Sequence, residues 1–298
     1  MWAITTFFNP VKYKRRLQNF YNFRSALSVP LIVIELSFDG SFEISKNDAD
    51  IVIHLNGGDI LWQKECLLNI ALQSVPQGVE QIAWLDCDII FENQNWESLA
   101  TKKLKKYPII QLFSELVCLE KNESAISWKN KSNSVLRVGV VSNIHADKVR
   151  ITDLNGYPPG GAWAARRDLL VKHGFYDAMI TGGGDRAMVC AMYGRFNDAI
   201  KVLCLNQNRK IHYLQWAIPY YRTVNGMVSY IPGRIFHMWH GDGVNRAYKE
   251  RHKALELLEL DIEKQLYKNQ NGLWNWVDCN DPVKNLLTKY FSNRLEDG

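Results

Sequence analysis

Residues 82–91 read Ile82-Ala83-Trp84-Leu85-Asp86-Cys87-Asp88-Ile89-Ile90-Phe91. An apolar run climbs to Asp86, one residue intervenes, Asp88 follows, and apolar residues resume. The pattern predicts a buried β-strand that ends in two carboxylates. In open α/β sheets, ligands bind in the crevice at the carboxyl ends of the strands. Two acids placed there repel each other unless a cation or a donor sits between them. A hard divalent ion with oxygen ligands, Mn²⁺ or Mg²⁺, meets that need and can also hold a diphosphate. Asp-x-Asp is a short pattern, and Asp also begins turns and caps helices. The assignment therefore depends on what surrounds it.

Upstream, residues 2–8 form a first strand, broken by Asn9-Pro10 because proline removes a donor and restricts its neighbour. Residues 13–27 follow as a helix whose first turns carry Lys12, Lys14, Arg15 and Arg16. A strand, loop and helix of this sort can hold a nucleotide, with Thr6 and Asn9 at the strand end and the cations near phosphate; a solvated basic face is the plainer alternative. Residues 30–36 are a second buried strand carrying Glu35, and residues 50–55 a third, closed by the turn Asn56-Gly57-Gly58-Asp59. Residues 60–74 are a helix that holds Trp62 and Lys64. Strand, helix, strand, strand, helix, strand is an α/β order with a mostly parallel central sheet flanked by helices.

Downstream, residues 95–106 predict a helix and 109–113 a strand, while 120–156 read as surface loops around an apolar segment at 135–141. Tyr157-Pro158-Pro159-Gly160-Gly161 is a turn, Ala162-Trp163-Ala164-Ala165 a strand, and residues 166–173 a helix closed by Gly174. Thr181-Gly182-Gly183-Gly184-Asp185 then leads into another helix. Glycines let backbone approach a ligand closely and place Asp185 at the helix start. Arg234-Ile235-Phe236-His237-Met238-Trp239-His240-Gly241 is a strand running into a turn. A long amphipathic helix with Val244, Tyr248, Leu255, Leu258, Ile262 and Leu266 on one face is expected next, then a turn at 272–276 and a helical tail.

The 298 residues are 47% hydrophobic and 22% charged, enough for one large domain with an appendage. A net charge of +5 does not demand nucleic acid. No apolar run reaches membrane-spanning length, and residues 1–8 lack the features of a signal peptide. Six scattered cysteines fit reduced thiols in a cytoplasmic protein. The ten tryptophans can stack on bases or sugars, although most such rings fill cores.

Four pieces thus stand in one order: the Asp86-Cys87-Asp88 strand end, the Gly160-Gly161 turn, the Gly182-Gly183-Gly184-Asp185 loop, and His237-Met238-Trp239-His240-Gly241. That order resembles nucleotide-sugar glycosyltransferases of the GT-A fold, and most the inverting β-1,4-galactosyltransferase-like group. The chain departs from the group in having a single acid, Asp185, in its glycine loop and in spacing its histidines His-x-x-His. The resemblance implies a GT-A-like, Rossmann-like catalytic domain over 1–255 and a helical extension over 256–298. It implies that Asp88 binds the metal and that Asp86 touches ribose, or the metal through water. It implies Asp185 as the general base, although an Asp at a helix start is more often a cap.

For the late histidines, a strand alternates its sides, so His237 and His240 cannot both face one ion while extended. His240, beside Gly241, is the favoured ligand, and His237 a second if the strand bends. Arg246, near the start of the expected helix, could steady a diphosphate. Thr6, Asn9, Glu35, Trp62 and Lys64 are the further donor-side candidates. Gly160, Gly161, Trp163, Gly183 and Gly184 are those for the sugar or acceptor. The expected reaction is metal-dependent transfer of a sugar, a UDP-sugar being favoured, to a hydroxyl on a glycan or other acceptor. A sugar-phosphate nucleotidyltransferase and a non-catalytic binding module are the alternatives.

Overall fold

A computed structural model gives the fold and describes residues 1–126, 128, 134–146 and 156–298. The expected loops at 120–156 lie partly outside those residues. The strands are β1 (Trp2–Phe8), β2 (Leu31–Ser37), β3 (Ile51–Asn56), β4 (Gln81–Leu85), β5 (Ile89–Phe91), β6 (Ile109–Gln111) and β7 (Glu115–Cys118). They continue as β8 (Val135–Val138), β9 (Ala162–Arg166), β10 (Val228–Tyr230), β11 (Arg234–His237), β12 (Leu266–Lys268) and β13 (Trp274–Trp276). Seven of them make a central sheet in the order β10-β6-β9-β4-β1-β2-β3. The fold is mixed α/β with helices on both faces.

The sheet is mixed rather than mostly parallel throughout. Strands β4, β1, β2 and β3 run parallel, as does β10 beside β6, but β9 runs against both β4 and β6. Apolar patterning shows which residues are buried but not which way a strand points, so the sequence could not reveal that reversal. Strand β4 shows how one element serves two cores. Ile82 and Trp84 face one apolar cluster with the helices Lys64–Gln73, Gly184–Met192 and Gln207–Val224, while Ala83 and Leu85 face the other.

The stretch 82–91 is two strands, not one. The chain leaves the central sheet after Leu85 and joins a second sheet, β5-β11-β7-β8, at Ile89. Backbone bonds fix the crossing at both ends. The Asp86 amide donates to Gly161 O at 2.8 Å, and the Met238 amide donates to Asp88 O at 2.8 Å. Residues 86–88 thus lie between the Gly160-Gly161 turn and the end of β11.

The expected long helix after Gly243 is broken. A 3-10 turn occupies Gly243–Arg246, an α-helix Tyr248–Leu257 and a short helix Ile262–Gln265, and Leu266 starts β12. Ala247 (φ 41) and Glu259 (φ 49) take left-handed backbone at the two breaks, so the six apolar positions do not share one face. Leu255, Ile262 and Leu266 are buried, whereas Val244 is 84% exposed. Residues 272–276, expected as a turn, include β13. No periodicity marked residues 194–233, yet they hold the 18-residue helix Gln207–Val224, capped by Asn206 and closed by left-handed Asn225. Among the described residues, no helix is long and apolar enough to cross a membrane.

Residues of the expected C-terminal extension join the same core as β4. Leu273, Trp274, Trp276, Leu287 and Phe291 pack in one cluster with Trp84. The side chain of fully buried Gln63 donates to Trp274 O at 2.8 Å and accepts from the Trp274 amide at 3.2 Å. Removing the Gln63 amide strands buried backbone groups of the β12–β13 hairpin, a loss of about 1–3 kcal/mol for each unsatisfied group. We therefore expect Gln63→Ala to lower stability by roughly that amount while unfolding stays a single transition, as measured by urea titration with two spectroscopic probes. Two separated transitions would show instead that the C-terminal residues form an independent unit.

Candidate active site

Gly161 sits at φ 103, a backbone conformation that suits glycine, and its amide donates to Asp86 Oδ2 at 3.1 Å. Lys64, the first residue of its helix, places Nζ 2.6 Å from Asp86 Oδ1 and 3.1 Å from Asp185 Oδ2. One ammonium thus bridges two carboxylates brought from residues 86 and 185. Burial pushes the Asp86 carboxyl up to about 6 against the pull of Lys64, and the nearby charges of Asp185 and Asp88 add to the rise.

Asp185 is not the helix cap. Gly183 (φ 101) is the N-cap of Gly184–Met192, and Asp185 lies in the first turn, where the helix dipole favours an anion. Its side chain is 23% exposed, so one side of it is reachable. Two glycines make room for the arrangement. A Cβ at Gly160 would lie 2.7 Å from Asp185 Oδ2, and one at Gly184 would overlap the Glu65 side chain. Glu65 is buried beside Lys64 and Asp185, and burial pushes its carboxyl up to about 8, with Lys64 opposing and Asp185 reinforcing the shift.

The second group forms where β11 ends. The strand stops at His237 and the chain bends, so both imidazoles face Asp88 despite their three-residue spacing. His240 Nε2 is 3.0 Å from Asp88 Oδ2, His237 Nε2 is 3.7 Å from Asp88 Oδ1, and the two Nε2 atoms are 3.3 Å apart. Ligand atoms of these three residues all lie within 4.8 Å of one another. Buried Asp88 Oδ1 has no hydrogen-bond partner among the described residues. Burial pushes His237 down to about 3, with Asp88 opposing and His240 and Arg246 reinforcing, so its ring is neutral at ordinary pH. Burial works to raise Asp88, but His237, His240 and Arg246 outweigh it and hold this carboxyl well below the usual range. Two imidazoles and an ionised carboxylate around a small space, with one carboxylate oxygen unpartnered, fit a divalent cation.

Several expected contacts need correction. Asp86 stands outside the ligand group, because Lys64 and the Gly161 amide take its oxygens. Trp163 is fully buried, stacks on Trp84 and donates to Pro159 O at 2.8 Å, so it has no face for a sugar. Asn9 pairs with both Tyr13 backbone groups and with Glu43, which closes the turn into the first helix. Glu35 accepts from the amides of Glu43 (2.6 Å) and Ile44 (3.0 Å), and so anchors a loop rather than a ribose. Trp62 stacks on Phe291 and lies under the Arg294 guanidinium. Thr6 is half-buried on β1. Arg246 is not at a helix start but in the 3-10 turn, and its Nη2 donates to His240 Nε2 at 2.8 Å. Residues the sequence did not single out, Glu65 and Glu296, lie within these clusters, and Glu296 Oε1 is 3.5 Å from His240 Nδ1.

No protein-family model matches the chain, and no curated protein matches it. Solved structures of similar shape include a mycobacterial protein, at 12% identity over 87% of this chain and 74% of that one, with a TM-score of 0.45. A protein described as a nucleotide-diphospho-sugar transferase, from Desulfovibrio desulfuricans, aligns at 11% identity over 99% and 97%, with a TM-score of 0.37. A Drosophila β-1,4-galactosyltransferase 7 mutant, in complex with manganese, UDP-Gal and xylobiose, aligns at 15% over 66% and 61%, with a TM-score of 0.30.

The Glu65 carboxyl yields a pH prediction. It ionises near 4.5 in the unfolded chain and near 8 in the fold, so between those values the folded state holds the extra proton. Stability then falls as pH rises through that window and levels off above it. Glu65→Gln removes this contribution, and its melting temperature should gain on the wild type by several degrees from about pH 5 to about pH 8. Parallel melting curves across that range, read by circular dichroism, would rule out a strained carboxyl at this position.

Proposed function

We propose that this chain is a metal-dependent glycosyltransferase that moves a sugar from a nucleotide diphosphate, a UDP-sugar by preference, to an acceptor hydroxyl with inversion. The observation that carries this reading is the meeting of Asp88, His237 and His240 beside a second group, Asp86, Lys64 and Asp185, on one sheet-to-sheet crossing. A strand end of this kind is where α/β folds hold nucleotides. The order of motifs along the sequence supports the same reading.

In this scheme Asp88, His237 and His240 hold the cation. Two imidazoles in the donor set favour Mn²⁺ over Mg²⁺, which prefers oxygen ligands and retained water. When bound, the ion supplies Lewis-acid stabilisation of negative charge on the departing nucleoside diphosphate. Asp185 accepts the proton of the acceptor hydroxyl as that oxygen forms its bond to the anomeric carbon. The bond from that carbon to the diphosphate oxygen breaks, and its electron pair leaves with the nucleotide. Lys64 orients the Asp185 carboxylate and offsets the charge of Asp86. Gly160 leaves open the space in front of the Asp185 carboxylate, and Gly161, Gly183 and Gly184 shape the backbone beside it.

The nucleotidyltransferase alternative needs free cations in the loop after β1. Lys12 is engaged with Ser41 and Asp39, and Arg16 with Glu296 and Phe8 O, which counts against it.

Thermal-shift measurements against a panel of nucleoside diphosphates and sugar nucleotides, with and without Mn²⁺, test the proposal. Bound at about 100 times its Kd, a ligand adds about 2.7 kcal/mol of stability. The expected result is a rise that requires both nucleotide and metal and is lost in Asp88→Asn. Asp185→Asn should keep that rise and lose transfer by about 100-fold or more, measured by release of the nucleoside diphosphate. Unchanged turnover in Asp185→Asn rules out its role as base, and a panel without any metal-dependent shift rules out the transferase.

A further inference from the structure

The segment after the helix Pro282–Ser292 folds back against the start of the first helix and the bend at His240. Asp297 accepts from the amides of Arg15 (2.8 Å) and Lys14 (3.2 Å), the first turn of the helix Lys14–Ala26. The Leu295 amide donates to the Tyr13 hydroxyl at 3.1 Å. Gly241 leaves space for the segment, since a Cβ there would lie 2.6 Å from Arg294 O. These contacts bury Glu296 until its side chain is 1% exposed. Arg16 Nε stands 2.6 Å from Glu296 Oε2, and Arg294 Nε stands 2.5 Å from Oε1 without the alignment of a hydrogen bond.

His240 Nδ1 faces Glu296 Oε1 across 3.5 Å. Both atoms are buried, and neither has a hydrogen-bond partner among the described residues. The other ring nitrogen fixes where the proton is. Arg246 Nη2 lies 2.8 Å from His240 Nε2, and a guanidinium only donates, so Nε2 is an acceptor. The ring proton is then on Nδ1, directed at Glu296. Nε2 also lies 3.0 Å from an Asp88 oxygen and 3.3 Å from His237 Nε2. An unprotonated nitrogen and a carboxylate oxygen this close repel each other unless a positive charge lies beside them, which the Arg246 guanidinium supplies here and a bound ion would supply in its place.

We infer that Glu296 is a positioning residue of the metal centre. It receives the Nδ1 proton of His240 and so keeps the Nε2 lone pair directed at the ion, through a contact that shortens when the ion draws on Nε2. Arg246 holds that lone pair when no ion is present. The inference rests on the metal centre of the proposed function, but its test separates the two. Metal-ligating imidazoles commonly give their second N–H to a carboxylate, and loss of such a partner typically costs 10–100-fold in metal affinity.

Two measurements decide it. The first is Mn²⁺ affinity by titration calorimetry and electron paramagnetic resonance, on wild type and Glu296→Gln, with melting in a chelator to show that the variant folds. The expected result is an affinity loss of about 10-fold or more in a variant that still melts as one cooperative transition in the chelator, at a lower temperature because Arg16 and Arg294 lose their carboxylate. Equal affinity in the folded variant overturns the inference. The second needs no variant: ¹⁵N shifts of the imidazoles in metal-free wild type, assigned with His240→Gln. Protonated Nδ1 on His240 supports the inference, and protonated Nε2 overturns it even if Glu296→Gln fails to fold. Wild type that binds no Mn²⁺ removes the metal centre of the proposed function, which is a different failure from equal affinities in the two proteins.

Discussion

The placement of every charged group in the site depends on how the chain passes from one sheet to the other at Asp86-Cys87-Asp88. Two backbone bonds, from Asp86 to Gly161 and from Met238 to Asp88, hold three residues between two sheets. Within that short span the side chains of Asp86 and Asp88 go to different neighbours. Asp86 meets Lys64 on the side of the glycine loop, and Asp88 meets the histidines at the end of β11. A strand that simply continued would alternate its side chains and would place 86 and 88 on the same face. The change of sheet is what separates them.

That separation explains the electrostatics. Buried Glu65 and the half-buried Asp86 and Asp185 crowd around the single ammonium of Lys64, and one cation cannot satisfy three carboxyls. Glu65 and Asp86 are accordingly raised, and protonation relieves the excess charge. Around Asp88 the balance is opposite, because imidazoles and Arg246 hold it ionised. Buried ion pairs of this kind contribute little net stability, since desolvation offsets much of the attraction, while loss of one partner leaves an uncompensated charge. Such groups are costly for folding alone, which makes their cluster a candidate functional site.

The apolar pattern of residues 82–91 is enough to locate β4 and the acids at its end but not the change of sheet between them, and the glycine runs locate the turn and loop that face it. Patterning works there because burial on a sheet is a local property of the chain. The direction of β9 was not legible, since either orientation buries the same residues. The break at Ala247 was also hidden, because alanine carries no signature of left-handed backbone. The roles of Asn9, Glu35 and Trp163 are not legible for one common reason: a polar or aromatic residue near a strand end looks the same whether it meets a ligand or its own protein. Only the partner decides, and the partners here are a turn, a loop and the core.

The paired acids of the motif suggest two ligands for one ion, yet the geometry assigns them different chemistry. To reach an ion held by Asp88 and the histidines, Asp86 would have to leave a 2.6 Å contact with Lys64 and the amide of Gly161. Lys64 would then have only Asp185 and the strained Glu65 for company. Asp88 needs no such exchange, because one of its buried oxygens is already unpartnered and two imidazoles already face it. The lower-cost arrangement keeps Asp86 as an anchor that draws Lys64 toward Asp185 and leaves Asp88 to the ion of the proposed function. One tripeptide thereby links the group that would hold a diphosphate to the group that would take a proton. The distance between those two tasks is set by the width of the crossing rather than by any flexible loop.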